Sequence, residues 1–301
     1  MTAFTDFSAS TTPPPDRYAV LGHPVAHSQS PFIHAEFARQ TGERIDYGRV
    51  DCALDGFEAG VRAFVAEADA ARGVGRAGGC NITVPFKFQV LPLARHATPR
   101  AALAQAANTL RFDADGWHCD NTDGIGLVRD LQDSAGHALA GQRVLLIGAG
   151  GAAAGVLGPL LDCAPAEVAV ANRSVDRAQA LVERHAALAA AHGVRLSARG
   201  LADAGRGYGV VLNSSASSLA GEAVPVHHEV LGDGALAVDL MYGPASHSFL
   251  DWALAHGAAN VRDGLGMLVE QAAESFHFWR GLRPLTAPVL LALRARLAAP
   301  H

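Results

Sequence analysis

The sequence predicts an α/β protein of two domains, each a sheet flanked by helices. Three observations carry this. Short apolar and β-branched runs alternate with segments of helical spacing, the pattern of a mostly parallel sheet. One such run, RVLLI, passes straight into a glycine turn and a second helical segment. The chain has 301 residues, half of them apolar, which is enough for one large core or two medium ones.

The elements follow in order. MTAFTDFSASTTPPP, residues 1–15, is rich in Ser, Thr and Pro and reads as a flexible leader. It lacks the basic and apolar regions of a secretory signal. YAVLG is a short strand. SPFIHAEFARQTG is a helix with Ser30 as N-cap, Pro31 in its first turn and Gly42 at its end. Ile45 to Cys52 is a second strand, residues 55–72 a helix and GCNITV a third strand. Val90 to Ala94 and Ala101 to Ala106 are helical pieces. NTLRFDADGWHCDNTDG is a hairpin turning at Asp115-Gly116. The first domain is therefore a mixed α/β unit over residues 16–125.

Gly124 to Asp133 connects it to a second unit, residues 126–264. There RVLLI, EVAVANR, VRLSARG, YGVVLNSS and ALAVDLMY are strands, and VDRAQALVERHAALAAAHG is an amphipathic helix closed by Gly193. Residues 265–301 are helical, broken near Gly281 and Pro284, and are expected to pack back on the first unit.

Composition excludes several classes. Net charge is −5 and the basic residues are scattered, so no nucleic-acid stripe exists and small molecules are the expected partners. No apolar run reaches the roughly 18 residues that span a bilayer. Cys52, Cys80, Cys119 and Cys163 form no CxxC pair and read as free thiols of a reducing cytoplasm, with no metal site expected. Monomer and homodimer both remain open.

Gly148-Ala149-Gly150-Gly151-Ala152-Ala153 matches GxGxxG/A between a strand and a helix. The first glycine permits the turn, the second lets backbone approach a pyrophosphate, and a small third residue lets helix and strand pack. The helix N-terminus then offers free N–H groups to phosphate. This makes the second unit a Rossmann-type, doubly wound dinucleotide-binding domain. An NAD-type unit carries a carboxylate at the end of its second strand. Here that place reads Asn172-Arg173-Ser174, with Arg177 a turn later. Guanidinium groups suit a phosphate dianion, so the cofactor expected is NADP.

Polar residues also punctuate the first unit. Ser28 and Ser30, before a helix, suit a carboxylate; capping would account for Ser30 alone and leaves Ser28 unexplained. Thr83, Lys87, Asn108, Asp120 and Asp123 each admit a reading as turn or cap residues when taken singly.

Taken together, GHPVAHSQSPFIH, GCNITVPFK, QAANTL, CDNTDGIG, GAGGA, NRSVDRA, VDLMYGP and DGLGMLVEQAAESF resemble the shikimate dehydrogenase family, in order and spacing, from Tyr18 to Leu293. CNITVPFK and CDNTDG are specific to that family and its quinate-using relatives. The resemblance implies reversible NADP-dependent reduction of 3-dehydroshikimate to shikimate, a step of aromatic amino-acid biosynthesis. It implies that Lys87 and Asp123 are the catalytic pair and that Ser28 and Ser30 hold the substrate carboxylate. Thr83, Asn108, Tyr242 and Gln271 are implied to bond the ring substituents. Gly148 to Ala152 are implied to cradle the pyrophosphate, and Asn172, Arg173, Ser174 and Arg177 to surround the 2′-phosphate. Leu240 and Gly264 are implied to line the nicotinamide pocket.

Departures from the family pattern are His23 in place of asparagine, NSSAS over Asn213 to Ser217, and Ala154-Gly155 where a longer basic residue is frequent. Two rival readings are a broader quinate/shikimate dehydrogenase and a non-catalytic NADP-binding regulator. A third is a reductase of another ring substrate on a similar frame. Quinate-using relatives often take NAD, with an acidic residue at the position where Arg173 stands here, and the presence of Lys87 and Asp123 argues for catalysis.

Overall fold

The computed structural model describes residues 13–70, 75–215 and 226–299. Residues 1–12 of the expected leader lie outside them. Two six-stranded sheets organise the chain. The first unit contributes β1 (Asp16–Gly22), α1 (Ser30–Thr41), β2 (Ile45–Asp51), α2 (Phe57–Ala70), β3 (Ala77–Ile82), β4 (His96–Ala97), α3 (Pro99–Ala104), β5 (Thr109–Asp113) and β6 (Gly116–Asp120). Its strand order is β2-β1-β3-β5-β6-β4. β1 is parallel to β2 and β3, whereas β3, β5 and β6 run antiparallel. Asp113 pairs with Gly116, so the hairpin turns on Ala114-Asp115, one residue earlier than the sequence suggests.

Alternate residues of β1 face opposite layers, as the two-residue period of a strand requires. Ala19 and Leu21 pack with Phe57, Val61 and Phe64 of α2. Tyr18 and Val20 turn to the other side, where Trp279 waits.

α4 (Asp123–Arg129) runs into a π-helical turn over Asp130–Ser134 and links the units. The second unit holds β7 (Arg143–Ile147), α5 (Gly151–Asp162), β8 (Glu167–Asn172), α6 (Val175–Ala191), β9 (Arg195–Gly200), β10 (Tyr208–Asn213), β11 (Leu231–Asp239), α7 (Pro244–Ala255) and β12 (Asn260–Arg262). All its strands are parallel, in the order β12-β11-β10-β7-β8-β9. The order reverses at β7, where ligands bind in open parallel sheets. Val144, Leu146, Val168, Val170, Val210 and Leu212 meet α5 and α6 on one face. Leu145, Ile147, Ala169 and Val211 meet Phe249 and Ala253 of α7 on the other. This near-continuous apolar run in each strand is what burial on both faces demands.

α8 (Leu265–Arg280) ends at Gly281, whose φ of 71° closes the helix, and α9 (Ala287–Ala298) follows. Both return to the first unit as expected: Leu265, Val269, Phe276, Val289 and Leu293 join Ile33 and Phe37 of α1. Trp279 Nε1 donates to the Leu110 carbonyl at 2.8 Å.

His34 lies within this layer, fully buried, stacked on Tyr47 with ring centroids 4.3 Å apart. Neither ring nitrogen has a hydrogen-bond partner. Burial pushes its pKa from 6.5 down to about 3. The folded state thus refuses a proton that the unfolded chain accepts, and His34 makes stability fall as pH drops from about 6.5 to about 3. The slope is about 1.4 kcal/mol per pH unit for one proton. His34→Phe is expected to flatten that acid limb, read as the urea midpoint at successive pH values. An unchanged slope would assign the proton to another group.

Candidate active site

The site forms where β3, β6, α4, α5 and α8 converge. After β3 the chain turns through Thr83, Val84 and Pro85 into a short 3-10 turn, Lys87–Gln89. That turn carries the Lys87 side chain back toward α4, whose first residue is Asp123. Lys87 Nζ donates to Asp123 Oδ2 at 2.5 Å, and the two side chains are only 14% and 6% exposed. An ion pair so shielded from water interacts strongly.

The other carboxylate oxygen is also held. Asn108 Nδ2 donates to Asp123 Oδ1 at 2.9 Å and lies 3.1 Å from Gln271 Oε1. Asn108 Oδ1 accepts from the Thr122 backbone N–H at 2.9 Å. The amide of Asn108 is thereby fixed in orientation, and it fixes Asp123.

Behind this lies a network that sequence reading missed. Asn81 Nδ2 donates to Thr109 Oγ1 at 3.1 Å and Ser275 Oγ at 3.0 Å. Ser275 Oγ lies 3.1 Å from Thr122 Oγ1. Tyr47 donates its hydroxyl hydrogen to Asn81 Oδ1 at 2.7 Å. All of these side chains are buried and mutually satisfied, the condition under which a polar core rigidifies a site rather than weakening it. The only local signal is a polar residue inside an apolar run, as with Asn81 in GGCNITV.

Ser28 and Ser30 come together, with Ser28 Oγ donating to Ser30 Oγ at 3.2 Å. Their expected roles change. α1 begins at Ser30 with Gln29 as its N-cap, so Ser30 is not the cap. Instead Ser28 Oγ accepts from the Ser30 N–H at 3.3 Å. The Ser30 hydroxyl is released from capping and lies buried. Tyr242 reaches the same loop: burial raises the pKa of its phenol while a backbone hydrogen bond at Gln29 opposes the rise. Thr83 sits half-buried with its methyl against Gly22.

Asp120 has a structural partner set. It receives Thr98 Oγ1 at 2.6 Å and Arg100 Nε at 2.7 Å, and Arg100 bridges on to Glu274. His23 lies on the surface, 3.1 Å from Asp51 Oδ1.

In the second unit, Gly148 has φ of +109°, a conformation costly for any residue with a Cβ, and this turns the chain sharply from β7 into α5. Gly150 is the N-cap with no side-chain cap, so the first N–H groups of α5 stay available, and a Cβ at Gly150 would meet only open space. A Cβ on Gly151 would come 3.2 Å from Lys87 Cβ, so the glycine turn borders the Lys87–Asp123 pair. These features fit a dinucleotide pyrophosphate.

Gly155 serves a second purpose. A Cβ there would stand 2.6 Å from Asn121 Oδ1, the atom that accepts the Asp123 N–H at 3.2 Å. Asn121 also donates to the Ala106 carbonyl at 2.9 Å. A longer basic residue therefore has no room at 155, and Ala154 is buried as well. The departure from the family pattern follows from close packing of α4 on α5.

Arg173, Ser174 and Arg177 are exposed at the end of β8, and neither arginine side chain pairs with any described residue. Asn172 Nδ2 donates to the Ser174 carbonyl at 2.9 Å and shapes that turn. Gly264 approaches the Leu240 backbone so closely that a Cβ would clash, and its N–H donates to the Met241 carbonyl at 2.8 Å. In NSSAS, Asn213 Oδ1 accepts from Ser215 Oγ at 2.7 Å; Ala216 and Ser217 lie outside the described residues. The four cysteines are free, and burial raises the pKa of each thiol, that of Cys119 to about 11.

Three family models match in succession. Residues 20–110 match "Shikimate dehydrogenase substrate binding domain", residues 130–217 "Shikimate / quinate 5-dehydrogenase", and residues 264–294 "Shikimate 5'-dehydrogenase C-terminal domain". A shikimate dehydrogenase (NADP(+)) of Methylibium petroleiphilum is 66% identical over 280 residues, covering 93% of this chain and 94% of that protein. A crystal structure of an Ael1 enzyme from Pseudomonas putida superposes with a TM-score of 0.81 at 42% identity, over 95% of this chain and 99% of that one. The Thermus thermophilus shikimate 5-dehydrogenase, solved in complex with NADP(H) and shikimate, superposes with a TM-score of 0.77 at 31% identity. It covers 93% of this chain and 99% of that one.

Proposed function

Because the chain belongs to the shikimate dehydrogenase family, we propose that it interconverts 3-dehydroshikimate and shikimate by reversible hydride transfer with NADP. The observation that carries the reading is the shielded Lys87–Asp123 pair at the edge of the glycine turn. NADP, when bound, accepts hydride from the substrate alcohol or returns it to the ketone.

The residues of the chain manage binding and the proton. Residues 16–125 together with 265–301 bind substrate, and residues 126–264 bind cofactor. The serine pair receives the substrate carboxylate, with Ser30 Oγ free of capping duty. Lys87 holds the proton that leaves or joins the C3 oxygen, so positive charge stands where negative charge develops during reduction. Asp123 orients the ammonium and bonds the neighbouring hydroxyl. Asn108 keeps the carboxylate from turning, and Thr83, Tyr242 and Gln271 complete the ring contacts. Leu240 and Gly264 wall the nicotinamide side. Asn172, Arg173, Ser174 and Arg177 receive the 2′-phosphate, and Gly148, Ala149, Gly150, Gly151 and Ala152 receive the pyrophosphate. No helix among the described residues is long and apolar enough to cross a membrane. We place the enzyme in the cytoplasm, working on small molecules and not on nucleic acid, as a monomer or homodimer.

Absorbance at 340 nm with shikimate and NADP tests the reading. Robust turnover is expected, with quinate and NAD both poorer; no turnover with shikimate would overturn it. Arg173→Ala should raise the KM for NADP about tenfold or more while leaving that for NAD nearly unchanged, because only NADP carries the phosphate. Equal losses with both cofactors would remove the 2′-phosphate assignment.

A further inference from the structure

We propose that His96, Asp115 and His118 form a surface site for a divalent transition metal of the zinc type, separate from the catalytic cleft. The fold places the three by simple means. β4 pairs with β6 in parallel, with His96 directly opposite His118. Their rings lie 4.4 Å apart between centroids. Asp115 stands in the two-residue turn that leads into β6. Its carboxylate faces both rings: Asp115 Oδ1 is 3.4 Å from His118 Nε2, and Asp115 Oδ2 is 3.7 Å from His96 Nε2.

The spacing suits a metal. Bonds of about 2.0–2.1 Å arranged tetrahedrally put neighbouring ligand atoms about 3.4 Å apart. The two nitrogen–oxygen distances lie close to that requirement, and one donor atom from each of the three residues lies within 4.8 Å of the others. Among the described residues, no other group of three histidine, cysteine or acidic side chains meets that condition. Two imidazoles and one carboxylate are a donor set for zinc, nickel or copper and a poor one for magnesium or calcium. All three side chains are solvent-accessible, at 45%, 64% and 23% for His96, Asp115 and His118, so water can complete the coordination.

Neighbouring charges leave these three free for the role. Asp113 Oδ2 is 3.5 Å from His118 Nε2 but also accepts from Arg111 Nε at 2.6 Å, which commits it elsewhere. Arg95 contacts Asp115 through the backbone carbonyl, at 2.7 Å, and leaves the carboxylate to the histidines. A bound ion would tie the hairpin turn to the edge strand β4.

Titration of tag-free full-length protein with ZnCl2 by isothermal calorimetry tests this. One equivalent is expected to bind and to raise Tm. Affinity should fall about tenfold or more in His96→Ala and in His118→Ala, and markedly in Asp115→Asn, with folding intact because His96 and Asp115 are exposed and His118 is only half-buried. His228→Ala, in a separate histidine cluster with His227 and His256, should bind as the parent does. Cobalt substitution should give visible d–d absorption that His118→Ala loses. Absence of binding at a one-to-one ratio would overturn the proposal, as would equal binding by the His96/His118 double variant; the triad would then be an ordinary histidine–aspartate ion-pair cluster.

Discussion

Lys87→Ala is expected to lower kcat by about two to four orders of magnitude while changing the KM for shikimate only a few-fold. Proton transfer is required in the transition state and not in the ground-state complex, so its loss falls on kcat. The substitution also costs some stability, as loss of one member of a shielded ion pair does, without leaving Asp123 unpartnered. Asp123 keeps the Asn108 amide on Oδ1, so the carboxylate is not left alone when the ammonium goes. A parent-like circular dichroism spectrum, with a Tm lowered by only a few degrees, would separate lost chemistry from lost fold. Asp123→Asn should also lose activity, since a neutral amide neither orients the ammonium by charge nor accepts equally from a hydroxyl. Turnover within a few-fold of the parent in Lys87→Ala would mean that another group carries the proton and that the pair serves only as an ion pair.

Asp130→Ala is expected to cost about 3 kcal/mol of stability, the lower end of what removing one member of a buried ion pair costs. Asp130 is wholly buried, and Arg262 grips it with two nitrogens, Nε at 2.7 Å and Nη2 at 2.5 Å. Arg262 retains about a fifth of its surface, so water relieves part of the loss, which is why the lower end applies. In a chain of this size Tm should drop by roughly 4–6 °C. Arg262→Met should cost at least as much, because it strands a carboxylate with no access to water. The pair joins the π-helical end of the linker to β12 at the edge of the second sheet, so it anchors the linker on that sheet. A Tm within about 1 °C of the parent in thermal unfolding would show that the pair is not an anchor.

Much of this molecule is legible in its sequence because the relevant signals are local. The Gly148 turn announces itself by a strand before it and a helix after it, and Lys87 by a cation closing an apolar run. Gly281 and Pro284 mark the helix break that the structure contains. What sequence does not yield depends on distant partners. Ser275 lies 194 residues from Asn81, and neither residue type in isolation says that the two will meet under the site. Ser30 reads as a helix cap because serine before proline usually is one; the helix instead starts a residue sooner and the neighbouring serine takes part of that duty. Ala154-Gly155 reads as a departure from the family pattern, yet the small size of Gly155 is set by Asn121 across the α4–α5 packing. The Ser275 and Gly155 differences come from tertiary packing, and the Ser30 difference from a neighbouring residue that competes locally for the cap.

Gln271 and Ser275, which close the floor beneath Asn108 and Thr122, both belong to α8. A polypeptide emerging from the ribosome presents its first sheet long before that helix exists. Until α8 docks, the amide of Asn108 and the hydroxyls of Thr109 and Thr122 keep their bonds to one another but face solvent where Gln271 and Ser275 later stand. Competence for substrate therefore waits on α8, because the floor is complete only once that helix has packed against the first sheet.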